Sequence, residues 1–183
     1  LGGHVLLQQL REVTADEFTA AQPQPFTDPN VRKFPQAQRL RGSRNPIGED
    51  GKVAEALEAE KLKAQVTGGR TSIQDMQPFT EDRWSDGKHL WWTGAKPGDL
   101  LMLELDVLAD IEAIQLVMTC AIDYGIVELR LDGKPLAPPI DLYEPNVVTT
   151  GLLEFPTEGL SVGKHQLELE IVGANPKAVQ QFM

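Results

Sequence analysis

Leu100-Leu101-Met102-Leu103-Glu104-Leu105-Asp106-Val107 decides the fold class of this chain. Leu101, Leu103, Leu105 and Val107 fall on one side of an extended backbone, while Met102, Glu104 and Asp106 fall on the other. A period of two is the mark of a strand with one buried face. The pattern returns in Ile114, Leu116, Met118 and Cys120, in Val127, Leu129 and Leu131, and in Leu167, Leu169 and Ile171 opposite Gln166, Glu168 and Glu170. Between the runs stand turn-forming sequences: Lys96-Pro97-Gly98-Asp99, Asp132-Gly133-Lys134-Pro135, Pro138-Pro139 and Val162-Gly163-Lys164. Short alternating strands punctuated by turns, without helices between them, predict an all-β antiparallel sandwich over residues 53–183.

Upstream the texture changes. Val5, Leu6, Leu7, Leu10 and Val13 suit one face of a short helix, and Thr14 with Glu17 has the spacing of a capping box before a second helix over residues 15–21. From residue 22 to residue 50, Pro23, Pro25, Pro29, Pro35 and Pro46 interrupt any regular element, and Arg32, Lys33, Arg39, Arg41 and Arg44 gather positive charge. Residues 1–52 therefore read as short helices and a Pro-rich extended segment, a linker or the tail of a preceding domain, docking on an acidic partner domain. Residues 53–64 are good helix formers by propensity. Their place at the head of a strand series favours a strand near residues 57–62.

The formal net charge of −10 opposes binding to a phosphate backbone, so no nucleic-acid partner is expected. No apolar run is long enough for a membrane-spanning helix. The single cysteine, Cys120, lies in an apolar alternating run and reads as a buried thiol. His4, His89 and His165 are scattered, and no Gly-x-Ser-x-Gly elbow, phosphate loop or His-Glu-x-x-His pattern occurs. Residue 1 is leucine, with no basic-then-apolar leader after it, which leads us to expect a piece or processed form of a longer protein.

The order of features from Leu57 onward resembles the carbohydrate-binding modules of families six and thirty-five, which are galactose-binding-like jelly rolls. Glu58-Ala59-Glu60 matches their opening strand, Gly98-Asp99 the turn into a later strand, Leu131-Asp132-Gly133 the end of another, and Gly163-Lys164-His165 the entry to the penultimate strand. The likeness spans residues 57–172. Trp84 to Trp92, the segment Asp141-Leu142-Tyr143 and a missing acidic final strand depart from the pattern. The resemblance implies a jelly-roll β-sandwich, a glycan ligand, and a structural calcium ion held partly by Glu58 and Glu60. Residues i and i+2 of a strand share a side, and two carboxylates with loop carbonyls, such as those of Gly68-Gly69-Arg70, suit a hard cation.

Aromatic residues make up 6% of the chain, yet Trp84, Trp91 and Trp92 crowd one segment. Sugar rings stack on aromatic planes while polar neighbours take the hydroxyls. Trp84, in the polar loop Glu81-Asp82-Arg83-Trp84-Ser85-Asp86-Gly87, is the expected exposed platform. Trp92 and Tyr143 are the next rings, and Asp141 and Asp123 the hydroxyl acceptors. Of Trp91 and Trp92, which alternate on a strand, one is expected in the core and one outside. The function expected is that of a non-catalytic carbohydrate-binding module of a larger extracytoplasmic protein, partnered by glycan and by an adjoining domain of its parent. The alternatives are a structural docking domain without glycan, marked by full burial of all three tryptophans under residues 1–52, and a jelly-roll glycan hydrolase, marked by two carboxylates facing across a deep cleft.

Overall fold

The computed structural model describes residues 9–13, 24–25, 38–39, 42–44 and 46–179. Among the described residues sixteen strands run in chain order: β1 Gln9–Val13, β2 Gln24–Pro25, β3 Gln38–Arg39, β4 Leu57–Glu58, β5 Ala64–Val66, β6 Arg70–Asp75, β7 Lys88–Thr93, β8 Leu100–Val107, β9 Ile111–Val117, β10 Thr119–Cys120, β11 Gly125–Leu131, β12 Lys134–Pro135, β13 Ile140–Asp141, β14 Val148–Thr149, β15 Leu153–Leu160 and β16 Gly163–Ala174. One sheet has the order β2-β3-β13-β11-β16-β8-β5, with β12 on β11. A second has the order β15-β9-β1-β4, and β10-β14 and β6-β7 form two-stranded pairs. The pairings are antiparallel except β3 against β13 and the isolated bridge between Ala121 and Tyr143. The chain is an antiparallel β-sandwich.

The alternating residues fill it. Leu101, Leu103 and Leu105 of β8, Val127 and Leu129 of β11, and Leu167, Leu169 and Ile171 of β16 meet Ile114 and Leu116 of β9 and Leu153 and Phe155 of β15 in one apolar core. Of the other face of β8, Asp106 is exposed and Glu104 half-buried. The Asp132-Gly133 turn is built as the sequence requires: both residues have positive φ, 49° and 76°, the geometry of a two-residue hairpin loop matched to strand twist. Cys120 is buried and forms no disulfide.

Two expectations are corrected. Gln9–Val13, read as part of a helix, is a strand lying between β9 and β4, with Leu10 in register with Leu116 and Leu57. A run this short fits either period, and the unpaired edge of β9 offers backbone partners that an isolated helix lacks. The capping box and the second helix lie outside the described residues, as do most residues between 14 and 41. The strand expected over residues 57–62 stops at Glu58, and Ala59–Lys61 turns as a 3-10 helix closed by the Leu62 amide on the Ala59 carbonyl at 3.1 Å. Burying Ala59 in the core turns the chain there, against both the helical propensity and the extended reading.

Candidate functional site

Two places in the sandwich gather chemistry. The first is a buried polar annex beside the β6-β7 hairpin. Glu58 ends β4, is 7% exposed, and accepts a 2.5 Å hydrogen bond on Oε1 from the Ser85 hydroxyl. Its Oε2 and both carboxylate oxygens of Glu60 are buried without a hydrogen-bond partner. Glu60 lies in the 3-10 turn after β4, not two residues along a strand from Glu58, and its charge bears on the Glu58 carboxylate. Burial raises the Glu58 pKa above the ordinary carboxylate value, the Ser85 hydroxyl opposes that shift, and the neighbouring Glu60 charge adds to it. The Asp86 carboxylate, whose charge also bears on Glu58, is paired with Lys52 and Lys61 at 3.7 and 3.8 Å.

These residues fit a hard cation. The unsatisfied atoms are all oxygen, they belong to two carboxylates, and an orphaned buried carboxylate is costly unless something positive meets it. Glu58 and Glu60 would hold calcium, with further oxygens from elsewhere, since no third His, Cys, Asp or Glu joins them in a metal-holding group among the described residues. The Gly68 carbonyl expected to contribute is instead the acceptor for Trp92 Nε1 at 2.9 Å.

Trp84 joins the same annex from the other side. It is 5% exposed, its ring lies 6.3 Å from that of Phe79, and its Nε1 donates to Thr119 Oγ1 at 2.8 Å. Thr119 Oγ1 also lies 3.2 Å from His89 Nδ1, and His89 Nε2 lies 2.6 Å from Gln74 Oε1. A carbonyl oxygen on Gln74 requires Nε2–H as donor, which leaves Nδ1 to accept from the threonine hydroxyl; this tautomer is assigned from the partners. Ser85 completes the connection by accepting from the Val53 amide at 3.2 Å while donating to Glu58.

The second place is the loop cluster at one end of the sandwich. The bridge between Ala121 and Tyr143 joins the loop before β11 to the loop after β13, and the Glu144 amide donates to the Ala121 carbonyl at 3.1 Å. The segment after β16 reaches the same place through the Val179 amide on the Ile122 carbonyl at 3.1 Å. Tyr143, Asp123 and Glu144 are half-buried there, and Ile122 and Val179 are exposed. The base is pinned by Asp141, which accepts from the Tyr143 amide at 2.9 Å and from Asn175 Nδ2 at 2.6 Å.

Of the residues expected to meet a sugar, the structure leaves Tyr143 and Asp123 half-buried in two loops joined by the Ala121–Tyr143 bridge and buries the others. Trp84 is buried rather than an exposed platform, because the indole N–H finds its acceptor inside, on Thr119. Trp92 is the core member of its pair, 0% exposed, and Trp91 is the half-buried one. Asp141 is 3% exposed, with a backbone amide and Asn175 already on its oxygens. Sequence reading missed Ser85, Thr119, His89 and Gln74 as one network, and Ile122, Glu144 and Val179 as one surface. Only Ile122, next to Asp123-Tyr124-Gly125, carried a signal, as an apolar residue in a polar turn.

No family model matches the chain, and no curated protein matches it.

Proposed function

We propose that the chain is a non-catalytic glycan-binding domain of a larger extracytoplasmic protein, held in shape by a calcium ion at Glu58 and Glu60. The observation that carries this reading is the backbone pairing of the loop before β11, the loop after β13 and the segment after β16, which carry the half-buried Tyr143, Asp123 and Glu144 and the exposed Ile122 and Val179. A ring face and apolar surface take the C–H face of a sugar, and flanking carboxylates accept its hydroxyls. Loops at the end of a rigid sandwich vary without disturbing the core. Calcium would supply positive charge to two carboxylates that otherwise lie buried and only partly satisfied.

The test is a glycan array followed by titration calorimetry on the hits. Tyr143→Ala is expected to weaken binding by about 1–3 kcal/mol, in the range for truncating an aromatic contact, with Asp123→Asn weakening it less. Trp84→Phe is expected to leave the sugar affinity unchanged, since Trp84 lies in the other annex. A hit whose affinity ignores Tyr143 and Asp123 overturns this site. The burial of Trp84 and Trp92 meets only part of the mark of a second reading, a docking domain that binds its own parent protein, since Trp91 is half-buried; an array without hits in the presence of calcium selects it.

A further inference from the structure

We infer that Ser85 couples the cation held by Glu58 and Glu60 to the order of the Trp84 loop, so that binding of the ion fixes residues 76–87 against the sandwich. The inference rests on the cation reading above and extends it from a pair of ligands to the segment they control. Ser85 is 0% exposed, and its single hydroxyl has two partners: it donates to Glu58 Oε1 at 2.5 Å and accepts from the Val53 amide at 3.2 Å. A hydroxyl has one proton, so the Glu58 bond requires that carboxylate as acceptor in a fixed position. Anything that moves or reorients Glu58 therefore pulls on the turn Ser85–Gly87.

That turn is tied to its surroundings at several points. Asp86 has a positive φ of 53°, a region that aspartate enters more readily than other non-glycine residues. Its carboxylate pairs with Lys52 and Lys61, and the backbone contacts are traceable. The Asp86 amide donates to the Gly51 carbonyl at 2.8 Å, and the Met76 amide to the Gly87 carbonyl at 2.8 Å. One residue before the turn, Trp84 bonds to Thr119; two residues earlier, Asp82 Oδ2 accepts from the Thr149 amide at 2.8 Å and from its hydroxyl at 2.5 Å. The loop is thus fastened to β10 and β14 at one end and to Glu58 at the other.

Without a cation, three buried oxygens of Glu58 and Glu60 lack a partner and the two carboxylates repel one another. Relief comes from moving one carboxylate toward water, which breaks the Ser85 bond and loosens the loop. With a cation bound, the same carboxylates are drawn in, and Glu58 presents Oε1 to Ser85. Ser85 is a positioning residue here, since it touches a ligand of the ion and not the ion.

The experiment uses the full chain in metal-free buffer, with calcium as the probe. Calorimetry gives the affinity, and amide hydrogen exchange with and without calcium follows Val53, Met76, Asp86 and Gly87. Calcium is expected to slow exchange at these amides about tenfold or more while leaving β8 and β16 amides unchanged. Ser85→Ala is expected to weaken calcium binding about tenfold, the effect of losing a group that orients a metal ligand. Trp84→Phe keeps an aromatic ring but loses the bond to Thr119 and part of the indole's packed volume; it is expected to lower calcium affinity by a smaller factor, and it serves if Ser85→Ala fails to fold. Calcium that binds without slowing exchange at these amides overturns the coupling and leaves the ion in place. A chain that binds no calcium overturns both the ion and the coupling, while the glycan test at Tyr143 stands apart from either result.

Discussion

The apolar interior and the polar annex are both buried, yet they hold the fold in different ways. Leu101, Leu129, Leu169 and their neighbours touch whatever lies across the sandwich, and none of that packing depends on the direction of one atom. In the annex partners are set by geometry: Ser85 to Glu58, Trp84 to Thr119, Thr119 to His89, His89 to Gln74. Truncating an apolar side chain opens a cavity whose cost depends on how far the surroundings close. Removing one partner of a buried hydrogen bond leaves a desolvated donor or acceptor with nothing to meet it. The interior makes the fold, and the annex decides where one loop rests.

The largest effect expected tests both sides at once. Leu129→Ala removes a side chain that is 1% exposed and is expected to cost about 2–5 kcal/mol in urea denaturation. Thr119→Val keeps the volume but removes the hydroxyl that accepts from the Trp84 N–H and lies beside His89 Nδ1, and is expected to cost about 1–3 kcal/mol. The two changes should also differ in kind, with exchange at residues 76–87 speeding in the threonine variant beyond its loss of global stability. A Thr119→Val protein as stable as the parent, with unchanged loop exchange, would show that the annex bonds do not set where the loop rests.

The same contrast explains what is legible in the chain and what is not. A period of two repeats within each strand, so the faces of β8, β9, β11 and β16 are legible locally, and any of several leucines gives the same answer. The annex joins residues far apart in sequence: Ser85 and Glu58 are separated by 27 positions, Trp84 and Thr119 by 35, and Asp82 and Thr149 by 67. Nothing local in Glu81-Asp82-Arg83-Trp84 announces that the tryptophan turns inward; its polar neighbours argue the opposite, and Asp82 is polar because it caps a distant strand. Glu58 and Glu60 are legible as a pair, but the 3-10 turn that carries Glu60 is not. At the loop cluster, Tyr143 and Asp123 can be named from residue type alone, whereas Ile122 and Val179 are adjacent only through backbone pairing.

A directional bond can also be switched off by pH without touching apolar packing. His165 Nδ1 lies 2.6 Å from Asp132 Oδ2, and His165 Nε2 lies 2.9 Å from the Ser161 carbonyl, tying the Asp132-Gly133 turn to the turn before β16. The hydrogen bond to Asp132 raises the His165 pKa, burial opposes it, and the Ser161 carbonyl adds to the rise. At Asp132, burial pulls the carboxyl upward, and the hydrogen bonds from His165 and the Gln166 amide outweigh it, so its pKa is lowered. The histidine contribution is complete below the ordinary imidazole value of 6.5 and is lost as pH rises through the higher folded-state value. The aspartate contribution is present above the ordinary value of 3.8 and is lost as pH falls through the lower folded-state value. Raising the pH from about 5.5 to about 8.5 is expected to lower the thermal midpoint of the parent more than that of His165→Gln. Equal shifts in the two proteins remove the pair from the account.

The smallest effect expected lies on the outer face of the larger sheet, where direction and charge matter but burial is slight. Glu128 of β11 stands directly across from Glu170 of β16, an arrangement that is destabilising when two like charges are alone. Arg130 is bonded to both, Nη2 to Glu128 and Nη1 to Glu170, each at 2.6 Å, with the three side chains about a quarter exposed. Arg130→Met therefore removes two attractions and releases one repulsion, and is expected to cost about 0.2–1 kcal/mol. Salt separates the two parts: it screens attraction in the parent and repulsion in the variant, so the gap between them should narrow as ionic strength rises. Lys164→Met is the comparator. Lys164 reaches Glu104 at 2.6 Å and Asp106 at 3.2 Å, but its own side chain is 66% exposed. Water and ions already surround that pair, so no resolvable change in thermal midpoint is expected from its loss. If Arg130→Met is equally silent at low salt, the carboxylates turn apart into water once the arginine is gone, and direction on this face contributes no more than it does at Lys164.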